Sequence, residues 1–376
     1  MRVMLAFGTR PEAIKMAPVV RALASHGSFS VNVVVTAQHR GLLDQALDVF
    51  AITPDHDLDI MQSSQSLPDL TSRILLGMGP VLEAWRPDIL LVHGDTTTTL
   101  ASALAAFYAK VPVGHVEAGL RTGDMSAPWP EEMNRRVTTT LSALHFAPTE
   151  SARENLLQAG VPASHIHVTG NTVIDALLLV DRRLREDATL RGSVERRFPW
   201  LDPSKRLILV TGHRRENFGA RFEALFEALV RLSQRQDVQI VYTVHPNPAV
   251  SQPAVERLSG YPNIVLVEPQ EYVPFVLLMQ RSCLILTDSG GIQEEAPALG
   301  KPVLVMRDAT ERPEAVAAGT ARLVGADTDR ILEAVETLLE QPEQYASMAR
   351  AHNPYGDGHA SGRIAAALAG RPHAHA

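Results

Sequence analysis

The segment 114–136, GHVEAGLRTGDMSAPWPEEMNRR, concentrates carboxylates and arginines among glycine and proline residues. It contains Glu117, Glu131 and Glu132. A positioned carboxylate can move a proton in catalysis, whereas an arginine can hold an anion such as a phosphate. Two interpretations are open at this point: an ordinary surface loop, or a site that handles both a proton and an anion.

Further residues capable of chemistry follow short apolar segments that are typical of buried strands. They are Arg10, the pair His93 and Asp95, the pair His115 and Glu117, the segment 213–216, His245, and the segment 288–291. In doubly wound sheets, ligands bind beyond the carboxyl ends of the strands. Six such strand ends, divided between two halves of the chain, predict a cleft between two domains.

The elements that must position these residues follow from the alternation of β-branched, apolar segments with helix-period segments. In the first part of the chain we predict strands at RVMLAF and VNVVVTA and helices over about 12–25, 41–49, 67–85 and 172–187. After the polar passage RRFPWLDPSKR the pattern starts again with the segments LILVTGH, VQIVYTVH, NIVLVEP, CLILTD and PVLVM. Alternating β and α units predict parallel sheets covered by helices. The fold class is therefore α/β, with two doubly wound, Rossmann-like domains.

The restart of the pattern also predicts the domain limits. The first domain is expected over residues 1–172, a linker region over 173–205, and the second domain over 206–358.

Composition and charge exclude several classes of protein. The 376 residues are 45% hydrophobic and carry a formal net charge of −7. This argues against nucleic-acid binding, which normally shows a basic surface. Cys283 is the single cysteine, and its apolar surroundings in SCLILTD indicate a core residue rather than a nucleophile. Because no apolar stretch reaches the ~18 residues of a membrane helix and no disulfide can form within the chain, we expect a cytoplasmic protein without a membrane partner.

The sequence lacks the common motifs of zinc enzymes and serine hydrolases. Neither VHGD nor TGHRRENF has HExxH or Cys/His spacing, so no metal is expected. No GxSxG segment occurs either. Asp95, Glu117 and Glu131, on one side of one predicted sheet, instead indicate acid–base chemistry.

The segment LILTDSGGIQEEA predicts a strand, a glycine-containing turn and a helix. Ser289, Gly290 and Gly291 would present backbone N–H groups at the helix start, which suits a phosphate or diphosphate. Glu295, just over one turn later, could accept hydrogen bonds from both hydroxyls of a ribose. The alternative is a tight turn capped by Ser289 and a solvated helix face, and the motif alone leaves both open.

Two other segments have the same strand–turn–helix pattern. In FGTRPEAIK, Thr9 can cap the helix and Glu12 suits its first turn. Arg10 and Lys15 oppose the positive helix end, which is easier to understand if an anion lies between them. In VHGDTTTTLA, Asp95 lies between strand and helix, where capping is the main alternative to catalysis.

Taken together, these motifs resemble those of a known enzyme family. The matching segments run in order over essentially the whole chain: FGTRPEAIKMAPV, VHGDTTTT, PVGHVEAGLRTGD, PWPEEMNRR, GNTVIDAL, TGHRRENFG, TDSGGIQEEAP, TERPEAV and NPYGDG. On these segments the chain resembles the bacterial non-hydrolysing UDP-N-acetylglucosamine 2-epimerases. The resemblance implies a glycosyltransferase-B-like fold with its active site in the interdomain cleft. It also implies a homodimer, no metal or nicotinamide cofactor, and a C-terminal helix (about 359–369, within 359–376) that rejoins the first domain.

The resemblance further implies a reaction, the reversible conversion of UDP-GlcNAc to UDP-ManNAc for bacterial surface polysaccharide. The C2 hydrogen of the sugar has no adjacent carbonyl, so the family's route is anti elimination of UDP. This gives 2-acetamidoglucal, to which UDP adds again while C2 is protonated on the other face.

Residue roles are carried over from the family motifs. The implied catalytic group is Asp95, Glu117, Glu131 and His213. Either Glu117 or Asp95 would remove the C2 proton, and Glu131 would support this step or donate on the opposite face. His213 would offset charge on the β-phosphate. The implied substrate-binding residues are Arg10 and Lys15 beside the catalytic group, Gln270 and Phe275 for uracil, Glu295 for ribose, Ser289, Gly290 and Gly291 for the phosphates, and Arg312 for sugar or phosphate.

Some family members bind a second UDP-GlcNAc as an allosteric activator, and Gln38, Arg214 and His245 match that regulatory site. Gly41 and Ser64 stand where those members carry glutamine and arginine, so allosteric control stays open. Three other functions also stay open: a sugar transferase of the same fold, a hydrolysing epimerase that releases ManNAc, and a nucleotide-sugar sensor without turnover.

Overall fold

The computed structural model describes residues 1–37, 40–62, 65–214 and 217–370, so the candidate allosteric residue Gln38 lies outside the described residues. The chain forms two compact units. Unit 1 comprises Met1–Ala176 and Tyr355–Ala376, and unit 2 comprises Leu177–Pro354. Each unit contains one fully parallel sheet, which confirms the predicted α/β class with two doubly wound domains.

The strands of unit 1 are β1 (Arg2–Phe7), β2 (Ser30–Val35), β3 (His56–Asp57), β4 (Ile89–His93), β5 (Val113–Val116), β6 (Leu144–Ala147) and β7 (Ile166–Val168). Those of unit 2 are β8 (Arg206–Gly212), β9 (Val238–Val244), β10 (Ile264–Val267), β11 (Ser282–Thr287), β12 (Val303–Val305) and β13 (Ala321–Leu323). The sheet orders are β3-β2-β1-β4-β5-β6-β7 and β10-β9-β8-β11-β12-β13. In each sheet the winding direction therefore reverses once, between β1 and β4 and between β8 and β11. Such switch points are where doubly wound folds bind ligands.

The helices, in chain order, are α1 (Arg10–Ser25), α2 (Arg40–Phe50), α3 (Leu67–Trp85), α4 (Thr97–Tyr108), α5 (Glu131–Leu141), α6 (Glu150–Gln158), α7 (Thr172–Glu186), α8 (Ala188–Glu195), α9 (Ala220–Leu232), α10 (Pro248–Leu258), α11 (Tyr272–Arg281), α12 (Gly290–Glu295), α13 (Pro313–Ala317), α14 (Thr328–Glu340), α15 (Pro342–Arg350) and α16 (Ala360–Ala369). Within the described ranges no helix combines the length and the apolar character that a membrane crossing requires.

The helix bounds follow from local capping chemistry. Helix α1 begins two residues before the predicted start because Thr9 and Glu12 form a reciprocal capping box. Helix α3 has the predicted bounds, and Ser66 caps it in the same way. The region predicted as a linker consists mainly of α7 and α8, and the division between the units falls inside α7. Helix α16 belongs to unit 1, where it packs against α1.

The central strands are buried because helices cover both faces of a parallel sheet. In unit 1, every residue of β4 is buried, and α3 and α4 pack beside it. In unit 2, every residue of β9 is buried, and Phe222, Phe226 and Tyr242 form the aromatic part of the core. These covered sheets hold the strand ends rigidly, so side chains that follow the strands have fixed starting points.

Three buried histidines lie on neighbouring strands of unit 1. His93, His115 and His145 are 3%, 0% and 1% exposed. Burial lowers the pKa of His93 and of His115 to about 4, and that of His145 to about 3. All three are therefore neutral near pH 7, and Nε2 of His115 donates to the Gly94 carbonyl at 2.7 Å.

We predict that His115 makes the protein less stable as the pH falls. A histidine whose pKa is lower in the folded state takes up its proton more readily when unfolded, so stability is lost between about pH 6.5 and about pH 4. At about pH 5 this loss should be about 2 kcal/mol for His115. His115→Gln keeps a donor for Gly94 and does not titrate. The free energy of unfolding in urea is measured at about pH 7.5 and about pH 5. Between these pH values it should fall by about 2 kcal/mol more in the wild type than in the variant. An equal fall in both proteins would contradict the prediction.

Candidate active site

Glu117 directly follows β5 and is the centre of a polar cluster in unit 1. Its side chain is 10% exposed. Oε2 accepts hydrogen bonds from Nζ of Lys15 at 2.5 Å and from Nδ2 of Asn171 at 2.8 Å. The Glu117 backbone has a φ of 60°, in the left-handed region that non-glycine residues seldom adopt and that is enriched at functional sites. The fold therefore holds this carboxylate in one orientation at some conformational cost.

Asp95 follows the neighbouring strand β4. Its Oδ2 accepts a hydrogen bond from Nη2 of Arg135 at 2.5 Å, and its backbone carbonyl accepts one from Nδ2 of Asn134 at 2.9 Å. Burial raises the pKa of Asp95; Arg135 opposes this effect and Glu117 adds to it. Asp95 and Glu117 are thus close enough for the charge of one to act on the other.

The alternative that Asp95 caps α4 is wrong. The cap is Thr96, whose Oγ1 accepts a hydrogen bond from the Thr99 backbone N–H at 3.1 Å. The Asp95 carboxylate is therefore not used at the helix start and turns to the arginine of α5.

A buried carboxylate, Glu12, links the strand ends beneath this cluster. Oε2 accepts from the backbone N–H groups of Gly8 and Thr9 at 3.1 and 2.8 Å, and Oε1 accepts from the hydroxyls of Thr96 and Thr99 at 2.7 and 3.2 Å. Burial raises the pKa of Glu12, although the hydrogen bonds from Thr96 and Thr9 act against it. Glu12 was expected only to favour the dipole of α1, but it also ties α1 to the start of α4.

Close packing at this junction explains Gly8. A Cβ atom on Gly8 would lie 2.0 Å from Oγ1 of Thr36, which no real contact allows. The loop that carries Arg10, the first residue of α1, can therefore pass this point only with glycine.

Glu131 begins α5. Since residues three and four apart share a helix face, it lies on the face of Asn134 and Arg135.

In unit 2, Asp288 organises the corresponding strand ends. This fully buried carboxylate follows β11 and accepts hydrogen bonds from the backbone N–H groups of His213 and Arg214 at 3.0 and 2.9 Å, and from Nδ2 of Asn217 at 2.9 Å. Nδ1 of His213 lies 3.3 Å from Oδ1. Burial would raise the pKa of Asp288, but the hydrogen bonds and the charge of His213 bring it below its ordinary value. The ionised Asp288 therefore orients the imidazole of His213, which is 44% exposed.

The turn from β11 into α12 has positive charge on both sides. A Cβ atom on Gly290 would lie 3.8 Å from Cζ of Arg312 and 4.0 Å from Nη2 of Arg214. Ser289 occupies the N-cap position, as the alternative predicted, but its side chain makes no capping hydrogen bond with the described residues. Two guanidinium groups and uncapped backbone N–H groups at Gly290 and Gly291 form a place for an anion.

Four predicted residues of unit 2 remain: Glu295, Phe275, Gln270 and His245. Glu295 ends α12, and its Oε2 accepts a hydrogen bond from the hydroxyl of Tyr272 at 3.4 Å. Tyr272 begins α11, which also carries the partly buried Phe275, and Gln270 precedes it. The ring of His245 stacks on that of His213 with centroids 6.1 Å apart.

Two observations bear on other kinds of chemistry. Over the described ranges, no group of three or more His, Cys, Asp or Glu side chains is arranged to hold a metal ion. Burial raises the pKa of Cys283 to about 11, so this thiol of β11 stays protonated near pH 7. Both the raised pKa and the strand position agree with a packing role.

Sequence reasoning missed several residues of these clusters. Arg135, Asn171 and Tyr272 were not singled out, and His93 and Asp288 were named at strand ends without a role. Asn171 lay in the motif GNTVIDAL and Asp288 in TDSGG, but no spacing rule showed which side chain each would contact. The structure brings together Lys15, Asp95 and Glu117 in unit 1, and His213, Arg214, Gly290 and Arg312 in unit 2.

Comparison with known proteins agrees with the family resemblance of the sequence motifs. The family model described as UDP-N-acetylglucosamine 2-epimerase matches residues 21–369. Proteins of that name from Escherichia coli O157:H7 and Yersinia pestis are 59% and 58% identical to this chain over 369 residues, with 98% of each chain covered. The crystal structure of UDP-GlcNAc 2-epimerase from Neisseria meningitidis bound to UDP-GlcNAc has a TM-score of 0.89 and 51% identity, and the match covers 99% of this chain and 100% of that one.

The match extends over both units and includes the strand ends described above, so it concerns the whole fold rather than one motif. The chain therefore belongs to the UDP-N-acetylglucosamine 2-epimerase family of enzymes.

Proposed function

We propose that this protein interconverts UDP-GlcNAc and UDP-ManNAc by reversible epimerisation at C2 and supplies ManNAc units for bacterial surface polysaccharide. Its relatives carry the name of this activity, and one of them was crystallised with UDP-GlcNAc. The observation that carries the proposal is the coupled pair Asp95 and Glu117, with Lys15 bonded to Glu117. A sugar transferase or a sensor has no evident need for two such carboxylates.

The proposed first step is anti elimination. A carboxylate of unit 1 takes the proton from C2, the electrons of the C2–H bond form a C1=C2 double bond, and UDP leaves C1 with the electrons of the C1–O bond. Glu117 is the better placed base because Lys15 and Asn171 orient it, whereas Oδ2 of Asp95 is bonded to Arg135. The product of this step is 2-acetamidoglucal.

The second step reverses the first with the opposite stereochemistry. UDP adds again at C1 while a proton is delivered to the other face of C2. Asp95 and Glu131 are the proposed donors. Glu131 begins α5, and the carboxylate of Asp95 accepts a hydrogen bond from Arg135 of the same helix. Burial raises the pKa of Asp95, which favours the protonated form that a donor needs.

Residues of unit 2 are proposed to hold UDP throughout. Backbone N–H groups at Gly290 and Gly291, together with Arg312, would bind the diphosphate, and His213 would offset charge on the β-phosphate as it departs. Glu295 would accept hydrogen bonds from the ribose, and Gln270 and Phe275 would contact uracil. A role of Arg214 and His245 in binding a second, regulatory UDP-GlcNAc stays a prediction.

The proposal is tested first with UDP-GlcNAc in D₂O, followed by proton NMR. The wild type should produce UDP-ManNAc with deuterium at C2, because the proton exchanges with solvent between elimination and re-addition. Glu117→Gln should lower the rate by more than about a hundredfold, as loss of a general base does. Free ManNAc as the main product would favour hydrolysis instead. Absence of both product and exchange would contradict the proposed activity.

Substitutions of His213 and Arg312 should differ in their kinetic effects. His213→Ala should lower kcat by more than about a hundredfold because it removes charge stabilisation of departing UDP. Arg312→Ala should mainly lower kcat/KM, through weaker substrate capture. The matched control is Arg330→Ala, which removes an exposed arginine of α14. Normal turnover of His213→Ala, or an unchanged kcat/KM of Arg312→Ala, would remove the residue from the site.

We also propose that the protein is a homodimer. Exposed apolar side chains lie on three helices of unit 1 that pack in sequence: Leu76 of α3, Phe107 and Tyr108 of α4, and Val137 of α5 are 74%, 58%, 67% and 39% exposed. Apolar side chains exposed on adjacent helices can mark an interaction surface, and a second copy of the chain is the proposed partner.

Light scattering after size exclusion should give a mass twice that of the 40.9 kDa chain. Phe107→Asp should shift the protein towards the monomer, because a charge in an apolar interface loses its hydration. Val255→Asp introduces the same charge at an exposed valine of α10 in unit 2 and should leave the mass unchanged. A monomeric wild type, or identical behaviour of the two variants, would refute the assignment of this surface.

A further inference from the structure

His93 is a buried titratable group of unit 1 to which no role has been assigned so far. It is the last residue of β4 and is 3% exposed. Among the residues that the structure describes, neither Nδ1 nor Nε2 of His93 has a hydrogen-bond partner. Buried polar atoms without partners are uncommon because they lose hydration without compensation, and each calls for an explanation. The nearest acidic group gives one: Oε1 of Glu117 lies 3.9 Å from Nε2 of His93.

The charge state of His93 follows from its surroundings. Burial lowers its pKa to about 4, Glu117 acts in the opposite direction and Lys15 in the same direction. His115, on the adjacent strand, is the other titratable group whose charge is coupled to that of His93. Near pH 7 the imidazole is therefore neutral, with one N–H donor and one nitrogen lone pair that can accept a hydrogen bond.

The two oxygens of Glu117 have different neighbours. Oε2 accepts hydrogen bonds from Lys15 and Asn171, which offer only N–H donors at these atoms. Such donors stabilise the ionised carboxylate and so oppose its protonation. A base must nevertheless hold the proton after removing it. His93 is a group beside Oε1 that can favour the protonated carboxyl, through the lone pair of its neutral imidazole.

We propose that His93 is a positioning residue that accepts a hydrogen bond from Glu117 after Glu117 has taken the proton from C2. The inference rests on the proposed epimerase function. The C2–H bond breaks, an O–H bond forms at Oε1 of Glu117, and this O–H donates to Nε2 of His93. The imidazole gains no proton, and the C–H electron pair enters the C1=C2 bond as UDP leaves. The 3.9 Å separation shortens to a hydrogen bond when the proton arrives, as catalytic contacts commonly tighten during the reaction.

Two substitutions separate hydrogen bonding from packing. His93→Leu fills much of the space but cannot accept a hydrogen bond, and it should lower kcat by about 10- to 100-fold with KM little changed. His93→Gln retains an acceptor and should keep kcat within about fivefold of the wild type. In His93→Leu the acidic limb of the kcat–pH profile should also move to lower pH, because the protonated form of Glu117 loses its stabilising partner.

The double variant His93→Leu/Glu117→Gln tests whether His93 acts through Glu117. If it does, the double variant should be no more than about twofold slower than Glu117→Gln in C2 exchange, since contacting residues that act as a unit are non-additive. UDP binding and thermal unfolding establish that each variant is folded. If His93→Leu does not fold, His93→Gln decides: kcat within about fivefold of the wild type supports the role, and a larger loss overturns it.

The measurements on the wild type and on His93→Leu distinguish failure of the epimerase proposal from failure of the proposed role of His93. A wild type without C2 exchange would overturn the epimerase proposal and the role of His93 with it. A wild type that exchanges, beside a His93→Leu variant within about twofold of its kcat and with an unmoved pH profile, would overturn only the role of His93.

Discussion

A buried carboxylate that joins two strand ends is the interaction on which each half of this molecule depends. In a doubly wound sheet the loops separate where the winding reverses, and this opens the crevice used for ligands. The backbone N–H groups at that point have no strand partner and need another acceptor. In unit 1 the acceptor is Glu12, which bonds to Gly8 and Thr9 beyond β1 and to Thr96 beyond β4. In unit 2 it is Asp288, which follows β11 and bonds to the loop beyond β8.

Both carboxylates accept hydrogen bonds where the winding reverses, but their pKa values are shifted in opposite directions. Burial dominates at Glu12 and raises its pKa, whereas the hydrogen bonds and the charge of His213 outweigh burial at Asp288 and lower its pKa. An ionised Asp288 beside Nδ1 of His213 orients the imidazole, which suits a group that is proposed to meet a leaving diphosphate. Glu12 faces hydroxyls and backbone N–H groups, and it holds the start of α1, the helix that carries Lys15, to the loop that carries Asp95.

Much of this arrangement could be predicted from the sequence, and the limits have physical causes. Apolar runs predicted the strands, and helical periodicity predicted the bounds of α3, because both signals are local. The candidate catalytic residues were predicted at strand ends because parallel strands bring their carboxyl ends to one edge. The cap of α4 was harder, since Asp95 and Thr96 are both good capping residues and tertiary contact with Arg135 decides between them. Burial of His93 and its distance from Glu117 depend on packing that no sequence interval encodes.

In the proposed anion site of unit 2, the arginines that would hold UDP already have carboxylate partners. Arg312 bonds to Glu294, and Arg214 lies 3.7 Å from Glu311, so each guanidinium is already partly neutralised by a carboxylate. A diphosphate would gain less from such arginines than from unpaired ones, because it must share their donors. Both groups lie within ordinary van der Waals distance of a Cβ placed on Gly290, at the start of α12, and the uncapped turn adds backbone N–H groups that carry no net charge. The proposed reaction requires UDP to leave C1 and then to form the bond to C1 again without being lost from the site. A site of moderated positive charge would stabilise the departing diphosphate without trapping it.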